Sequence, residues 1–471
     1  MNKTKIIATI GPMSKDKNTL KKMITLGADV FRLNLNYASH EFCKKIVDNV
    51  NELNEELNTN VAVMVDIQGH GIRVGKFKDG QANLEENTKV KVYINEIEGT
   101  NERFSVNYDK LVETVKYHTE IKLADGDIVL RVVDKELEYI TCEVLKGGII
   151  KDNQGFNIIG FKHNCKYLSD KDKNDIKYAS KIGVDFLALP HVRTPEDVLE
   201  VTDLLIDIKD DHLDLIAKID NESAINELDA IIKVSDGIMV SRGDLGIEFP
   251  IERVPSLTKM IINKCHIAGC VSIVSTQMLS SMETDLNPTR AEVSDVANAV
   301  IDGVDAVMLS GETTIGMYPS QTVEMMEKII GAAECDIDYF SLLNKAMRTQ
   351  TQDVTASIAY SVTECANRLK CKVIVAPTFS GYTAKKISRF RPNCPIIALC
   401  PDKKIVKSLS LYYGVAAYYV SNLESFDKIM SRAKKIVMEK VSMNAFDKYI
   451  ITGGYPFKGV KHTNFMKIEE I

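Results

Sequence analysis

The stretch LDLIAKIDNES, residues 213–223, reads as a short apolar strand that ends in charge. Leu215, Ile216 and Ala217 lead into Lys218, and Asp220 follows two residues later. On an extended backbone those two side chains share one face. A charged pair at a strand end is commonly solvated trim, so its meaning depends on how the other strands of the chain end.

They end alike. Eight short β-branched runs recur through the first two-thirds of the chain: TKIIATIG (4–11), DVFRLNLN (29–36), VAVMVDIQG (61–69), DFLALPH (185–191), DLIAKID (214–220), GIMVSRGD (237–244), VSIVSTQM (271–278) and AVMLSGE (306–312). Amphipathic helical patterns lie between them, such as KNTLKKMITLG (17–27), PEDVLEVTDLLIDI (195–208), AINELDAIIKVSD (224–236) and AEVSDVANAVIDG (291–303). Strand and helix alternating eight times, with the strands apolar throughout, predict an α/β fold built on a (β/α)8 TIM barrel. In this class the reactive groups gather at the C-terminal ends of the strands. The polar residues at those ends are Thr9; Arg32, Asn34 and Asn36; Asp66; Lys218 and Asp220; Arg242 and Asp244; Thr276 and Gln277; and Ser310 and Glu312. Seven of the eight strands finish this way, which makes solvated trim a poor explanation.

Two segments break the rhythm. After Asp66 roughly a hundred residues pass before it resumes at LSDKDKNDIKYASKIG (168–183). The intervening VKVYIN, IKLADGDIVLRVV and YITCEVLKGG alternate apolar with polar and predict a small antiparallel β domain inserted after the third strand. Beyond about residue 335, SIAYSVTECANRL, CKVIVAPTFSG, PIIALCP and KYIITGG predict a separate C-terminal α/β domain. The expected division is a (β/α)8 barrel from 1–68 and 168–335, an inserted β domain from 69–167, and a C-terminal α/β domain from 336–471.

Bulk properties exclude several classes. Over 471 residues, 45% hydrophobic and 26% charged content is ordinary for a globular protein, and the net charge of −6 disfavours nucleic acid or an anionic membrane as the main partner. The opening MNKTKIIATIGP is too short and polar for a secretory signal, and no apolar run reaches membrane-spanning length. Ten cysteines occur without a CxxC pair, Cys265 and Cys270 being the closest, which fits a reducing, cytoplasmic setting.

The strand-end residues suggest a chemistry. Asp220 and Asp244 come from neighbouring strands, and two oxygen ligands suit Mg²⁺ or Mn²⁺ better than zinc. Arg32 and Lys218 add fixed cations, and a metal, an arginine and a lysine are the parts that neutralise a phosphoryl group in transfer. SRGDLG (241–246) either offers backbone N–H groups to a carboxylate or is an ordinary strand-to-helix turn at Gly243 and Gly246. Asn34, Asn36 and Asp66 form an oxygen-rich corner for a monovalent cation or for plain hydrogen bonding. Thr276 and Ser310 either relay a proton or cap the next turn. TRAE (289–292) fits a helix capping box, and His266, in a half-apolar stretch, is expected to be structural.

TKIIATIGP, FRLNLNYASHE, AKIDNES, SDGIMVSRGDLGIEFP, STQMLSSM and NPTRAEVSDVANAVIDGVDAVMLSGET together resemble pyruvate kinase, and the resemblance runs through essentially the whole chain. It implies phosphoryl transfer from phosphoenolpyruvate to ADP, then protonation of the enolate to pyruvate. By motif position, Lys218 would stabilise the phosphoryl group, Arg32 would contact its oxygens, and Asp220 and Asp244 would hold the divalent ion, Mg²⁺ or Mn²⁺. Gly243, Asp244 and Thr276 would hold the carboxylate beside the protonation step. Asn34, Asn36, Asp66 and the Ile67 carbonyl would occupy the family's potassium site, and Arg73 would reach the nucleotide phosphates of ADP or ATP. The loop TFSGYTAKK, with Thr378, Ser380, Gly381 and Thr383, would bind a phosphorylated sugar or nucleotide effector, and GGYPFKGVKHTN resembles the family's closing loop. The resemblance also makes the inserted domain a β-barrel lid that closes over the catalytic barrel's mouth and the C-terminal domain one for effectors and oligomerisation, and the family is usually a homotetramer.

Several positions depart from the family's pattern. Asp220 stands for glutamate and Asn36 for serine. Gln68, His70 and Gly71 replace lysine, proline and glutamate at the lid hinge, and Gln154 replaces a lysine. Pro190 and His191 stand where serine and an aromatic are common, and Ile315 replaces a lysine. These changes leave two further readings: a regulatory paralogue that binds phosphoenolpyruvate or an effector with little turnover, and a metal-dependent pyruvate aldolase or lyase. The retained Lys218 and Arg32 argue against the last, which has no phosphoryl group to stabilise.

Overall fold

Eight parallel strands close on themselves: β1 (Lys5–Thr9), β2 (Val30–Asn34), β3 (Ala62–Asp66), β4 (Phe186–Leu189), β5 (Asp214–Ile219), β6 (Gly237–Ser241), β7 (Val271–Ser275) and β8 (Ala306–Leu309), with β8 pairing back onto β1. The computed structural model describes residues 2–471 except His70, Asp211 and residues 161–165, 349–352, 422–424 and 457–461. The strands are apolar throughout because both faces are covered. Ile7, Val30, Met64, Phe186, Ile216, Met239, Ile273 and Met308 belong to one apolar cluster, which continues into the C-terminal domain. Their neighbours Ile6, Phe31, Val63, Leu187, Ala217, Val240, Val274 and Val307 pack with the surrounding helices in another.

The N-terminal end of the barrel repeats one device four times. An aspartate just before each even strand accepts a backbone N–H from the odd strand beside it. Asp29 takes Ile6 N–H at 2.9 Å, Asp185 takes Val63 at 2.8 Å, Asp236 takes Leu215 at 2.9 Å and Asp305 takes Ser272 at 2.9 Å. Strand-start donors that have no ladder partner are thereby satisfied. One end of the cylinder is sealed with carboxylates in structural roles, and the other is left for chemistry.

The segment between β3 and β4 is β-rich, as expected. A six-stranded sheet and the two-stranded ribbon Gln81–Leu84 with Gly148–Lys151 enclose their own apolar core of Val90, Phe104, Leu130, Val144 and Phe156. The sheet is antiparallel except where Arg103–Ser105 runs parallel to Lys89–Tyr93, a pairing that alternation of residues does not reveal. The inserted domain touches the barrel through Lys122, whose ammonium meets the Ile247 carbonyl.

The C-terminal sheet contains β9 (Val373–Pro377), β10 (Ile396–Cys400), β11 (Val415–Tyr419), β12 (Lys448–Gly453) and β13 (Phe465–Glu470), in the order β11-β10-β9-β12-β13 with only β13 antiparallel. A buried ion pair ties it to the barrel. Arg391 Nη1 lies 2.6 Å from Asp305, Nη2 donates to the Gly303 carbonyl at 2.8 Å, and the guanidinium stacks 4.5 Å over the Tyr413 ring. Among the described residues no helix is long and apolar enough to cross a membrane.

Candidate active site

The C-terminal rim brings together residues that lie far apart in sequence. Asp66, the last residue of β3, is the hub. Arg32 from β2 pairs with its Oδ2, and Lys218 Nζ from β5 lies 3.5 Å from the same oxygen. Burial pushes the Asp66 carboxyl up, but the Lys218 and Arg32 charges outweigh it and hold the group below the usual carboxylate range. Arg32 Nη1 also donates to Thr9 Oγ1 at 3.3 Å, so the ends of three adjacent strands fix the guanidinium. Two cations around one carboxylate leave this corner net positive.

Three buried polar atoms here have no hydrogen-bond partner: Arg32 Nε, Asp66 Oδ1 and Asn36 Oδ1. Buried polar groups are nearly always satisfied, so orphans gathered in one corner mark a place built for something else to bind. Asn34 Oδ1 accepts the Asn36 backbone N–H at 3.0 Å, which fixes the turn that carries the Asn36 amide. Ile67 is buried in the same turn. Unpartnered carboxylate and amide oxygens are the donor set that a monovalent cation takes.

Asp220, just past β5, is held on both oxygens. Its Oδ2 receives the His191 backbone N–H at 3.0 Å and lies 3.0 Å from His191 Nδ1, while Oδ1 accepts from Asn221 at 2.9 Å. Burial raises its carboxyl pKa, but His191 and then Lys218 win and set it below the usual range. For His191, burial acts downward, and Asp220 with Asp244 overcomes it to hold the imidazole above its ordinary value. His191 sits at φ 56°, a left-handed backbone that aims its N–H and ring at one carboxylate. Asp244 lies in the short helix Arg242–Glu248 and accepts the Ser241 hydroxyl at 2.5 Å. Both acids supply hard oxygen donors of the kind Mg²⁺ takes. Among the described residues no group of three or more His, Cys, Asp or Glu side chains is placed to hold a metal ion.

Thr276 follows β7 at φ 69° and Gln277 at φ 54°, two successive non-glycine residues in the left-handed region. Such strain persists where the surroundings enforce it. Arg242 enforces it here, bonding the Thr276 carbonyl at 2.6 Å while paired with Asp295. Thr276 Oγ1 accepts the Gly243 N–H at 2.9 Å, linking the ends of β6 and β7. Gly243 thus opens a helical turn, and Ser310 receives the Glu312 carboxylate on its backbone N–H at 2.7 Å. The capping box at Thr289 and Glu292 forms, and Glu292 also holds Ser281. His266 is structural: its Nε2 lies 2.6 Å from the Arg389 carbonyl.

A cavity of about 90 Å³ separates the inserted domain from the rim, lined by Gly71, Ile72 and Phe156 on one side and His191, Arg193 and Glu248 on the other. Glu248 escaped the sequence reading. Burial, then Asp220 and Glu222, push its carboxyl up to about 7. Only its place at the end of SRGDLGIE hinted at it. Arg73 lies in the inserted domain, its guanidinium on the Asn153 carbonyl at 2.9 Å, and Gln154 accepts the Lys151 N–H at 2.8 Å. Gln68 pairs with Lys171, which returns an ammonium to the hinge from which lysine is missing. His70 falls outside the described residues.

In the C-terminal domain Gly381 takes φ 78° at the start of the helix Tyr382–Ser388. Thr378 is buried, and Thr383 Oγ1 meets Thr463 Oγ1 at 2.9 Å, so this loop contacts the closing segment. Residues 457–461 of that segment lie outside the described residues.

A closed (β/α)8 barrel whose C-terminal rim pairs fixed cations with acids belongs to the phosphate-handling barrel enzymes in its chemistry. Residues 1–323 match the family described as pyruvate kinase, barrel domain, and residues 356–469 the one described as pyruvate kinase, alpha/beta domain. The chain is 39% identical over 470 residues to the pyruvate kinase of Staphylococcus aureus (strain MRSA252), covering 99% of this chain and 80% of that one, and equally to that of Staphylococcus epidermidis (strain RP62A). A crystal structure of a pyruvate kinase from Cryptosporidium parvum superposes with a TM-score of 0.93 at 32% identity, covering 100% of this chain and 96% of the other. This chain is a member of the pyruvate kinase family of phosphotransferases.

Proposed function

We propose that this chain is a cytoplasmic pyruvate kinase that transfers the phosphoryl group of phosphoenolpyruvate to ADP, giving ATP and pyruvate. The observation that carries the reading is the set of unpartnered buried atoms at the Arg32–Asp66–Lys218 corner, beside acids presented from the next strands. Arg32 and Lys218 present fixed positive charge to the oxygens of the moving phosphoryl group, and Asp66 holds the two cations in register. Gly243, Asp244 and Thr276 line the edge where the substrate carboxylate sits, and the Thr276 hydroxyl stands nearest the carbon that takes the proton. Asp220 and Asp244 would hold Mg²⁺ or Mn²⁺, which when bound supplies further neutralisation of phosphate charge. Asn34, Asn36, Asp66 and Ile67 would hold K⁺. Arg73, carried on the inserted domain, would reach the nucleotide when that domain closes over the rim.

Thr378, Ser380, Gly381 and Thr383 would receive a phosphorylated effector, and the active unit is a homotetramer. The test is a coupled assay of pyruvate formation with Mg²⁺, scanning nucleoside diphosphates with and without K⁺. Turnover is expected with at least one diphosphate, and Lys218→Met is expected to lower kcat by ~100-fold or more, the scale of losing one preorganised charge. Folded protein that binds Mn²⁺ yet turns over no diphosphate would refute the proposal.

A further inference from the structure

The helix Val254–Ala268 ends in a turn whose two contact positions are both cysteine. Gly269 adopts φ 75°, its N–H bonds the His266 carbonyl at 3.2 Å, and the Cys270 N–H bonds the Cys265 carbonyl at 3.0 Å. Those are the two hydrogen bonds of a Schellman turn, in which one side chain of the last helical turn meets the side chain just past the glycine. Here the two positions are Cys265 and Cys270, with the Cys270 sulfur also 3.7 Å from the Ser235 carbonyl. A disulfide spans α-carbons about 4.4–6.8 Å apart with the β-carbons turned toward each other. The 3.0 Å backbone bond from Cys270 to Cys265 holds the two residues together across the turn, and this turn type brings their side chains to one another.

The two cysteines differ in access. Cys265 is fully buried, whereas Cys270 is partly exposed and opens on a small cavity between the barrel and the C-terminal domain. Lys385, Arg389 and the Arg391–Asp305 pair line the same cavity, which leaves its charge net positive beside the Cys270 sulfur. We propose that Cys265 and Cys270 form an intramolecular thiol–disulfide site, oxidised by hydrogen peroxide at the partly exposed Cys270 sulfur. The Cys270 sulfur, on losing its proton, attacks one peroxide oxygen. The O–O bond breaks, and the other oxygen leaves as hydroxide and is protonated to water, leaving a sulfenic acid on Cys270. The Cys265 sulfur then gives up its proton and displaces the sulfenic hydroxyl as water, closing the S–S bond. Two thiols are oxidised by two electrons, and one peroxide is reduced to two waters. Burial pushes the Cys265 thiol well above its ordinary pKa, which suits a resolving rather than an attacking role. The turn also bears the contacts that seat the C-terminal domain, because Arg389 donates to the His266 and Ile267 carbonyls.

The test uses the full-length reduced protein exposed to hydrogen peroxide, followed by alkylation of remaining thiols and peptide mapping. The tryptic peptide between Lys264 and Arg290 is expected to lose about 2 Da, carry no label, and regain two labels after reduction. In Cys270→Ser, Cys265 is expected to stay labelled, on unfolding, with or without peroxide. Exposed Cys335 is the internal reference for oxidant dose. The proposal is overturned if both cysteines remain alkylatable once Cys335 is fully oxidised, if Cys270 is found as sulfinic acid, or if either is joined to a different cysteine.

Discussion

Protonating His266 should loosen the seam between the barrel and the C-terminal domain. Its Nε2 meets the Arg389 carbonyl at 2.6 Å, so that nitrogen is the donor. Burial is the largest force against the imidazolium. Arg391 and Arg389 repel it as well, and the opposing pull of the Arg389 carbonyl and Asp305 leaves the ring at about 4. Lys385, across the same cavity, adds no compensating negative charge. A histidine in the unfolded chain titrates near ~6.5. Between those values the unfolded chain binds the extra proton, so the contribution is fully present above ~6.5 and is lost as pH falls toward ~4. The interval is worth ~3 kcal/mol at ~1.4 kcal/mol per pH unit.

Two acids at the barrel's N-terminal end act the other way. Burial raises Asp185 and Asp214 to about 6, so each favours the folded state as pH falls through that value toward the ordinary carboxylate range. An acid titration of wild type alone therefore mixes opposite slopes. His266→Gln isolates one of them, because the amide still donates to the Arg389 carbonyl but does not titrate. Urea unfolding followed by circular dichroism suits a chain without tryptophan. From pH 7.5 to pH 4 the stability of wild type relative to the variant should fall by ~3 kcal/mol. A difference that stays constant across that range would refute the reasoning.

Other consequences follow from the same contacts. Arg391→Met leaves Asp305 buried without its guanidinium and should cost ~3–5 kcal/mol in urea unfolding, the scale of a broken buried pair. Asp66→Asn removes the charge that Arg32 and Lys218 share, and kcat/KM for phosphoenolpyruvate should drop by ~100-fold with secondary structure retained. In the cycle of His191→Phe, Asp220→Glu and the double change, Mn²⁺ affinity should show a coupling of ~0.5–3 kcal/mol, whereas additive effects would mean that the two residues do not act together.

The barrel was legible because its signal is repeated. Eight apolar runs with polar ends leave few alternatives, and each run named from the sequence contains a barrel strand. The C-terminal sheet was legible only in part. VIVAP, IIALC and KYIITG are buried β-branched or apolar runs, whereas β11, VAAYY, and β13, FMKIEE, are half-exposed edge strands whose burial gives no clear pattern. The aspartates that seal the barrel's N-terminal end were in plain view in GADV, GVDF, VSDG and GVDA, yet they looked like turn residues. Only strand register shows that each serves the preceding strand rather than its own.

The candidate site was legible as a set of residues but not as a set of partnerships. Asp66 is an oxygen donor in sequence and a clamp for two cations in space, because the parallel register sets Asn34 beside Asp66 and turns Arg32 inward between β1 and β3. The departures from the family's pattern change meaning in the same way. Gly71 lies more than a hundred residues before His191 and Asp220, which themselves fall on successive strand ends, so the three look like independent losses. In space, a β-carbon on Gly71 would stand 3.4 Å from His191 Nε2, and His191 grips Asp220 through both its backbone and its ring. A glutamate at 71 would start in contact with the imidazole and set its carboxylate beside the ring, and a glutamate at 220 would push its carboxylate one methylene further into the grip. The small residue, the histidine and the shorter acid therefore fit one another as a single rearrangement of the rim. Restoring any one of them alone to the family's usual residue should do more harm than restoring all three.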